Sequence, residues 1–206
     1  MTTQADSRRD QIVRAALDLL EETGYEAVTL RAIARRLGVR LNTVSWHVKT
    51  KAGLQDLLAE AILAEIPLHR LPTHWRERVI VLVRRYRRAL LAHRDGARVV
   101  AGTFTPGPGT LGYAEAVIEA LLSGGVSPHK AGWLCWTLTY FTLGLTQEEQ
   151  AAPGALADRL ESTISPENYP ALTQVQPYLV DNEFDSRFEF GLNLILTGDD
   201  LGDSKN

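Results

Sequence analysis

The stretch from Thr29 to Lys51, T-L-R-A-I-A-R-R-L-G-V-R-L-N-T-V-S-W-H-V-K-T-K, decides how the amino-terminal part of the chain folds. Ile33, Ala34 and Leu37 give one short helix an apolar face, Gly38 ends it, and Val44 and Val48 begin a second short apolar pattern. Thr29 is placed to cap the first of these helices and Leu41 to begin the second. Such a helix, turn and helix can set its second helix in the major groove of DNA, where side chains meet base edges and their neighbours meet phosphates. The side chains suit that use, since Arg31, Arg35, Arg36, Arg40, Lys49 and Lys51 surround Asn42, Thr43, Ser45 and His47. A basic helical hairpin solvated on the surface of a bundle satisfies the same periodicity and charge, so two readings stand at this point.

Working outward, Ser7 and Asp10 are placed to cap a preceding helix, whose apolar stripe of Ile12, Val13, Ala16, Leu17, Leu19 and Leu20 stops at Gly24. The pattern from Ala52 to Ile66 predicts a fourth helix, closed by Pro67, which connects residues 1–51 to a larger unit, residues 68–206. In that unit Thr73 is expected to cap a long helix to about His93, with Arg76, Arg84, Arg85, Arg87 and Arg88 on a solvated or ion-paired face. A short helix is expected from Gly96 to Thr103, ending at F-T-P-G-P-G, whose prolines and glycines forbid regular structure and suit a hinge or pocket lip.

The next helix runs through Leu111, Ala114, Val117, Ile118, Leu121 and Leu122 to a Gly-Gly stop. Ser127 and Pro128 open another, apolar on nearly all sides through Trp133, Leu134, Trp136, Leu138, Tyr140, Phe141, Leu143 and Leu145. Ala151 to Pro177, with four prolines, reads as a loose stretch before a last helix carrying Phe184, Phe188, Phe190, Leu192, Leu194, Ile195 and Leu196. The last two long helices are expected to form a four-helix bundle with their copies in a homodimer, the other reading being that they line one monomer's core. The expected fold class is all-α: a three-helix head of helix-turn-helix type and a larger helical body for ligand binding and dimerisation.

Composition bounds the function. The chain has 206 residues, 45% of them apolar, and a formal net charge of -3. Residues 1–51 hold nine lysines and arginines against six acids, a local excess of +3 that leaves -6 for the rest, so a polyanion is drawn to the head. No secretion leader or membrane span is read, and the single cysteine, Cys135, suits a reducing cytoplasm. The sequence offers no nucleophile elbow, phosphate loop, dinucleotide fingerprint or metal motif, so neither an enzyme nor a cofactor is expected. His69, His74, His93 and His129 read as surface groups.

The run R-R-D-Q-I-V-R-A-A-L-D-L-L-E-E-T-G-Y-E-A-V-T-L-R-A-I-A-R-R-L-G-V resembles the DNA-binding domain of the TetR family of bacterial repressors, and T-V-S-W-H-V-K-T-K-A-G-L is closer still to its tetracycline-repressor subgroup. The segments Y-R-R-A-L-L-A-H-R-D-G-A-R-V-V-A-G-T and Y-F-T-L-G-L-T-Q-E-E-Q are similar to that subgroup's ligand-binding domain. The resemblance implies that Thr29, Thr43, Trp46, His47 and Lys51 hold phosphates of double-stranded operator DNA. It implies that Arg31, Arg40, Leu41, Asn42 and Ser45 choose bases, with Arg31 able to reach guanine and Asn42 adenine. Val44 and Trp46 also read as packing residues, Val44 more strongly.

At the effector site the sequence departs from the subgroup. The histidine that binds magnesium in tetracycline repressors falls at Val100, and other drug-contacting polar positions fall at Pro67, Leu82 and Val117. Tyr86, Thr103, Thr139 and Glu148 keep family pocket positions. The expected effector is therefore a metal-free, largely apolar or aromatic small molecule touched by Leu82, Tyr86, Val100, Thr103, Val117, Cys135 and Thr139, residues that read equally as plain core. The resemblance thus implies a homodimeric repressor released by its effector; a ligand carrier or interaction protein of the same fold, without DNA binding, is the alternative.

Overall fold

The computed structural model describes residues 4–103, 106–151, 162–179 and 183–197, which form ten α-helices and no strand. The head holds α1 (Gln4–Thr23), a single 3₁₀ turn (Tyr25–Ala27), α2 (Leu30–Arg36) and α3 (Leu41–His47). Ile12, Ala16 and Leu20 of α1 are buried against Ile33 of α2 and Val44 of α3, which is the packing the period of their apolar residues demands. The Thr29 hydroxyl caps α2 by accepting the Ala32 N–H at 3.1 Å. Gly38 then takes φ of 64°, a left-handed conformation that costs glycine nothing and turns the chain into α3. At the start of α1 the expectation fails, because the helix begins at Gln4 and Ser7 lies inside it.

The connecting helix α4 (Lys51–Ala64) starts one residue before the sequence reading, since Thr50 caps it by accepting the Gly53 N–H at 3.0 Å. Next come α5 (Trp75–Leu91), α6 (Gly96–Val100), α7 (Pro108–Ser123) and α8 (Pro128–Ala151). Thr73 does not cap α5: His74 occupies the N-cap position, with no side-chain bond, and the helix stops two residues short of His93. The short helix α6 also ends earlier than read, at Val100. Residues 104 and 105 of F-T-P-G-P-G lie outside the described residues, but the second proline, Pro108, opens α7. A missing N–H costs nothing in a first helical turn, so this proline starts structure instead of breaking it.

The stretch read as loose contains a ten-residue helix, α9 (Pro170–Leu179), again opened by a proline, while residues 152–161 lie outside the described part. None of the residues of α9 is buried, so it has no core-facing stripe for periodicity to reveal. The last helix, α10 (Phe184–Thr197), packs on α8. Together α8 and α10 leave an apolar face outward, with Trp133 68%, Phe190 72% and Leu194 59% exposed. Arg87, only 8% exposed, ties α5 to both helices by donating to Glu149 at 2.7 Å and Asp185 at 2.5 Å, with Phe188 beneath its guanidinium. On the basic face of α5, Arg84 meets Glu189 twice at 2.7 Å, and Arg85 donates to the carbonyls of Pro67 and His69.

Candidate nucleic-acid interface and ligand cavity

The second helix of the turn motif, α3, presents a divided surface. Val44 is fully buried, which makes it a packing residue, whereas Arg40, Leu41 and Asn42 are exposed and Thr43, Ser45 and His47 are half-buried around them. Trp46 is 73% exposed and its indole meets the His47 ring edge-on, centroids 4.7 Å apart. This leaves most of the indole surface open to solvent. Arg31 is exposed on α2, beside this surface.

The cations of the head fall into two groups. Arg36 is used internally: it donates twice to Glu22, at 2.7 and 2.6 Å, and its guanidinium holds the Glu22 carboxyl below the usual range. Lys51 stands 3.7 Å from Glu26 and over the Tyr25 ring, which fixes its ammonium at the start of α4. Arg31, Arg35, Arg40 and Lys49 have no ion-pair partner among the described residues. The unpaired charges surround α3, so the head offers a solvent-facing cationic surface around polar side chains that can reach base edges.

The body encloses a cavity of about 570 Å³ between α4, α5, α6, α7 and α8. Of the residues singled out in the sequence, Tyr86, Val100, Thr103, Cys135 and Thr139 line it; Leu82 and Val117 do not, and both are buried in the core. Glu148 is exposed on α8 and lies outside the lining. Tyr113, which the sequence reading passed over, stacks on Tyr86 with ring centroids 4.7 Å apart and planes 15° from parallel. Its signal was present, since Tyr113, Val117 and Ala120 share one buried face of α7. Trp136 and Tyr140 stand at the outer side and Thr110 and Leu111 at the α7 side.

Among the described residues no charged side chain lines the cavity. Burial pushes the Tyr86 and Tyr113 phenols well above their ordinary range and raises the Cys135 thiol to about 11. The interior is therefore a neutral, weakly polar space that binds by shape, aromatic contact and a few hydroxyls.

Two side chains of α4 and its C-cap residue, Glu65, join the head to this cavity. Gln55 donates to the carbonyls of Val99 and Ala101 at 3.0 and 3.1 Å, holding the end of α6. Glu60 accepts from the Gly109 N–H, from the Thr110 N–H at 3.1 Å and from the Thr110 hydroxyl at 2.9 Å, so a carboxylate of α4 caps the amino end of α7. The helices meet so closely that a Cβ on Gly109 would lie 2.6 Å from the Ala64 backbone nitrogen, which only glycine permits. Glu65 approaches His93 Nε2 at 3.0 Å, while Glu21 of α1 approaches His93 Nδ1 at 3.0 Å. His93 is thus not a free surface group, as its isolation in the sequence suggested, but a bracket between α1, α4 and the turn after α5. The Tyr25 N–H donating to Asp95 at 2.8 Å and the Arg98 to Glu26 pair complete this seam.

Residues 12–58 match the family of bacterial regulatory proteins described as the tetR family, and residues 68–199 match the tetracyclin repressor-like C-terminal domain. The tetracycline repressor protein class A from transposon 1721 of Escherichia coli is 39% identical over 190 residues, covering 91% of this chain and 88% of that protein. Among solved structures, a possible TetR family transcriptional regulator of Streptomyces coelicolor A3(2) superposes with a TM-score of 0.83 at 35% identity, covering 92% of this chain and 97% of the other. The S. coelicolor TetR family protein ActR in complex with actinorhodin does so with a TM-score of 0.83 at 29% identity, covering 92% and 93%. Helix-turn-helix head, all-helical body and full-length similarity agree: this chain belongs to the TetR family of transcriptional regulators.

Proposed function

We propose that the chain acts as a homodimeric repressor that binds a palindromic operator and lets go when a metal-free, largely apolar or aromatic molecule fills the cavity of the body. The division is a head of residues 1–51, a connector of 52–67 and a body of 68–206. The carrying observation is a set of exposed cations, Arg31 and Arg35 on α2 and Arg40 and Lys49 flanking α3, without ion-pair partners among the described residues and joined through one helix to a cavity with no charged lining among them. Arg31, Arg40, Leu41, Asn42 and Ser45 read bases. Thr29, Thr43, Trp46, His47 and Lys51 hold phosphates. The outward faces of α8 and α10 pair with their copies, setting two α3 helices about 34–36 Å apart for successive major grooves.

The effector touches Tyr86, Val100, Thr103, Cys135 and Thr139, with Tyr113 added and Leu82 and Val117 acting from behind as core. Valine at position 100 cannot ligate a metal, and the neutral lining favours an effector unlike a magnesium chelate. That ActR, a protein of the same fold, forms a complex with actinorhodin supports a small-molecule effector here. Release follows only if the effector binds one conformation better than the other. Movement of α6 or α7 is passed to α4 by Gln55 and Glu60 and on to the head by the His93 bracket.

The test is a gel shift with the DNA beside the protein's own gene. Arg31→Ala should lose about 1–3 kcal/mol of preference for operator over mismatched DNA, whereas Lys51→Ala should weaken both alike. Unchanged operator preference in Arg31→Ala overturns the assignment of base readout.

A further inference from the structure

Tyr86 and Tyr113 are 2% and 5% exposed as residues, yet neither phenol has a hydrogen-bond partner among the described residues. Buried hydroxyls are ordinarily paired, so an unpaired couple calls for a reason. Nor are these oxygens sealed in the packing, because the only side-chain polar atoms in that condition among the described residues are Arg87 Nε and Thr146 Oγ1. Both residues line the cavity, which is where a partner for these hydroxyls can stand. The other hydroxyl protons of the inner lining are spent: Thr103 donates to the Val100 carbonyl at 2.7 Å, Thr139 to the Cys135 carbonyl at 2.8 Å and Thr110 to Glu60 at 2.9 Å.

We propose that the effector is an uncharged, flat, aromatic compound bearing a carbonyl oxygen, and that Tyr86 and Tyr113 recognise it by donating their phenol hydrogens to that oxygen. The proposal rests on the cavity being the effector site and gives that effector a chemistry. A carbonyl oxygen has two lone pairs and can accept from both phenols. With no charged side chain in the lining among the described residues, a carboxylate or ammonium group would meet no counter-ion there, which selects for a neutral ligand. Burial keeps both phenols protonated at physiological pH, so both remain donors. The wide faces of the stacked tyrosines and of Trp136 favour a flat ring system in a space of about 570 Å³, within the size range of drug-sized sites.

The probes are 9-fluorenone and fluorene, which share a three-ring outline and differ in one carbonyl, together with fluorenone-4-carboxylate. Binding to the full-length protein is followed by quenching of tryptophan fluorescence, Trp136 standing in the lining. Fluorenone should bind about tenfold more tightly than fluorene, the margin two neutral hydrogen bonds supply, and at least about tenfold more tightly than the carboxylate. In Tyr86→Phe/Tyr113→Phe the advantage over fluorene should vanish while fluorene binding holds within about twofold, which also shows the cavity intact. Equal binding of fluorenone and fluorene to the unaltered protein overturns the carbonyl assignment and leaves the aromatic effector site standing. A preference that survives the double substitution, or tighter binding of the carboxylate, also overturns it. Failure of both neutral probes to bind overturns the assignment and the effector site with it.

Discussion

The head and the body of this regulator use side chains in opposite ways. In the head the groups proposed to meet DNA are those the fold leaves over: exposed Arg31, Arg35, Arg40 and Lys49, and a tryptophan turned to water. In the body the groups proposed to meet the effector are part of the core itself, for Tyr86 and Tyr113 are as buried as the leucines that hold the helices together. A surface that meets a polyanion works through long-range charge, whereas a cavity that meets a neutral molecule works through contact. The difference teaches that one chain can read two ligands whose binding responds to different variables, so each can be perturbed without the other.

Ionic strength should separate them most. With Arg31 and Arg40 on bases, Arg35, Lys49 and Lys51 on each of two heads leave roughly six phosphates neutralised, so operator affinity should fall about 10³-fold between about 50 and 200 mM salt. Fluorenone binding to the uncharged cavity should change by less than about twofold over the same range, since there is no charge pair to screen. Titrations of both ligands across that range check this. Parallel salt slopes would erase the distinction between the regions.

The same distinction explains what could be read from sequence. In the head, residue type and role coincide: a buried Val44 and an exposed Asn42 announce themselves by polarity, and Thr29 and Gly38 by their places in a helix cap and a turn. In the body, cavity wall and core are built from the same apolar alphabet. Leu82 and Val117 thus read as lining although they face packed neighbours, and Tyr113 was missed although it faces the cavity. Prolines are ambiguous for a physical reason, because the ring that breaks a helix interior suits a first turn, and Pro108 and Pro170 each open a helix. Glu60 and His93 were illegible for another reason. Their partners lie far along the chain, 50 and 72 residues away, and a lone charged residue carries no local pattern.

Alkaline pH should sharpen the contrast from the other side. The Cys135 thiol is raised from 9.0 to about 11 by burial, so at pH 8 its thiolate is about 100-fold scarcer than in an unfolded chain. Alkylation by iodoacetamide should be slower in the folded protein by about that factor, against the urea-unfolded chain as reference. The sign for stability follows from the same shift. Between pH 9 and 11 the unfolded thiol has lost its proton and the folded one keeps it, so stability falls as pH rises through that interval. The phenols of Tyr86 and Tyr113 shift in the same direction and steepen the fall. Cys135→Ser should flatten the decline in Tm over that range, and an unchanged decline would show that the cavity does not govern it.

The smallest expected effect tests whether the regions are separate at all, and it lies in Glu60, which sits on the connector and caps a helix of the body. Glu60→Ala removes three accepted hydrogen bonds from the first turn of α7 and should cost about 1 kcal/mol, a Tm decrease of roughly 2–4 °C. Glu60→Gln keeps an acceptor oxygen but loses the charge that favours a helix amino end, so it should fall between the two. Hydrogen exchange supplies the decisive readout. The amides of Gly109 and Thr110 lose their acceptor directly and must exchange faster in Glu60→Ala. If α4 carries strain between body and head, amides of α3 should also lose protection, although Glu60 makes no hydrogen bond to α3. Protection lost in α7 alone would mean that the two regions share a helix without sharing a state, and the path from cavity to operator would then have to run through the Glu21, His93 and Glu65 bracket instead.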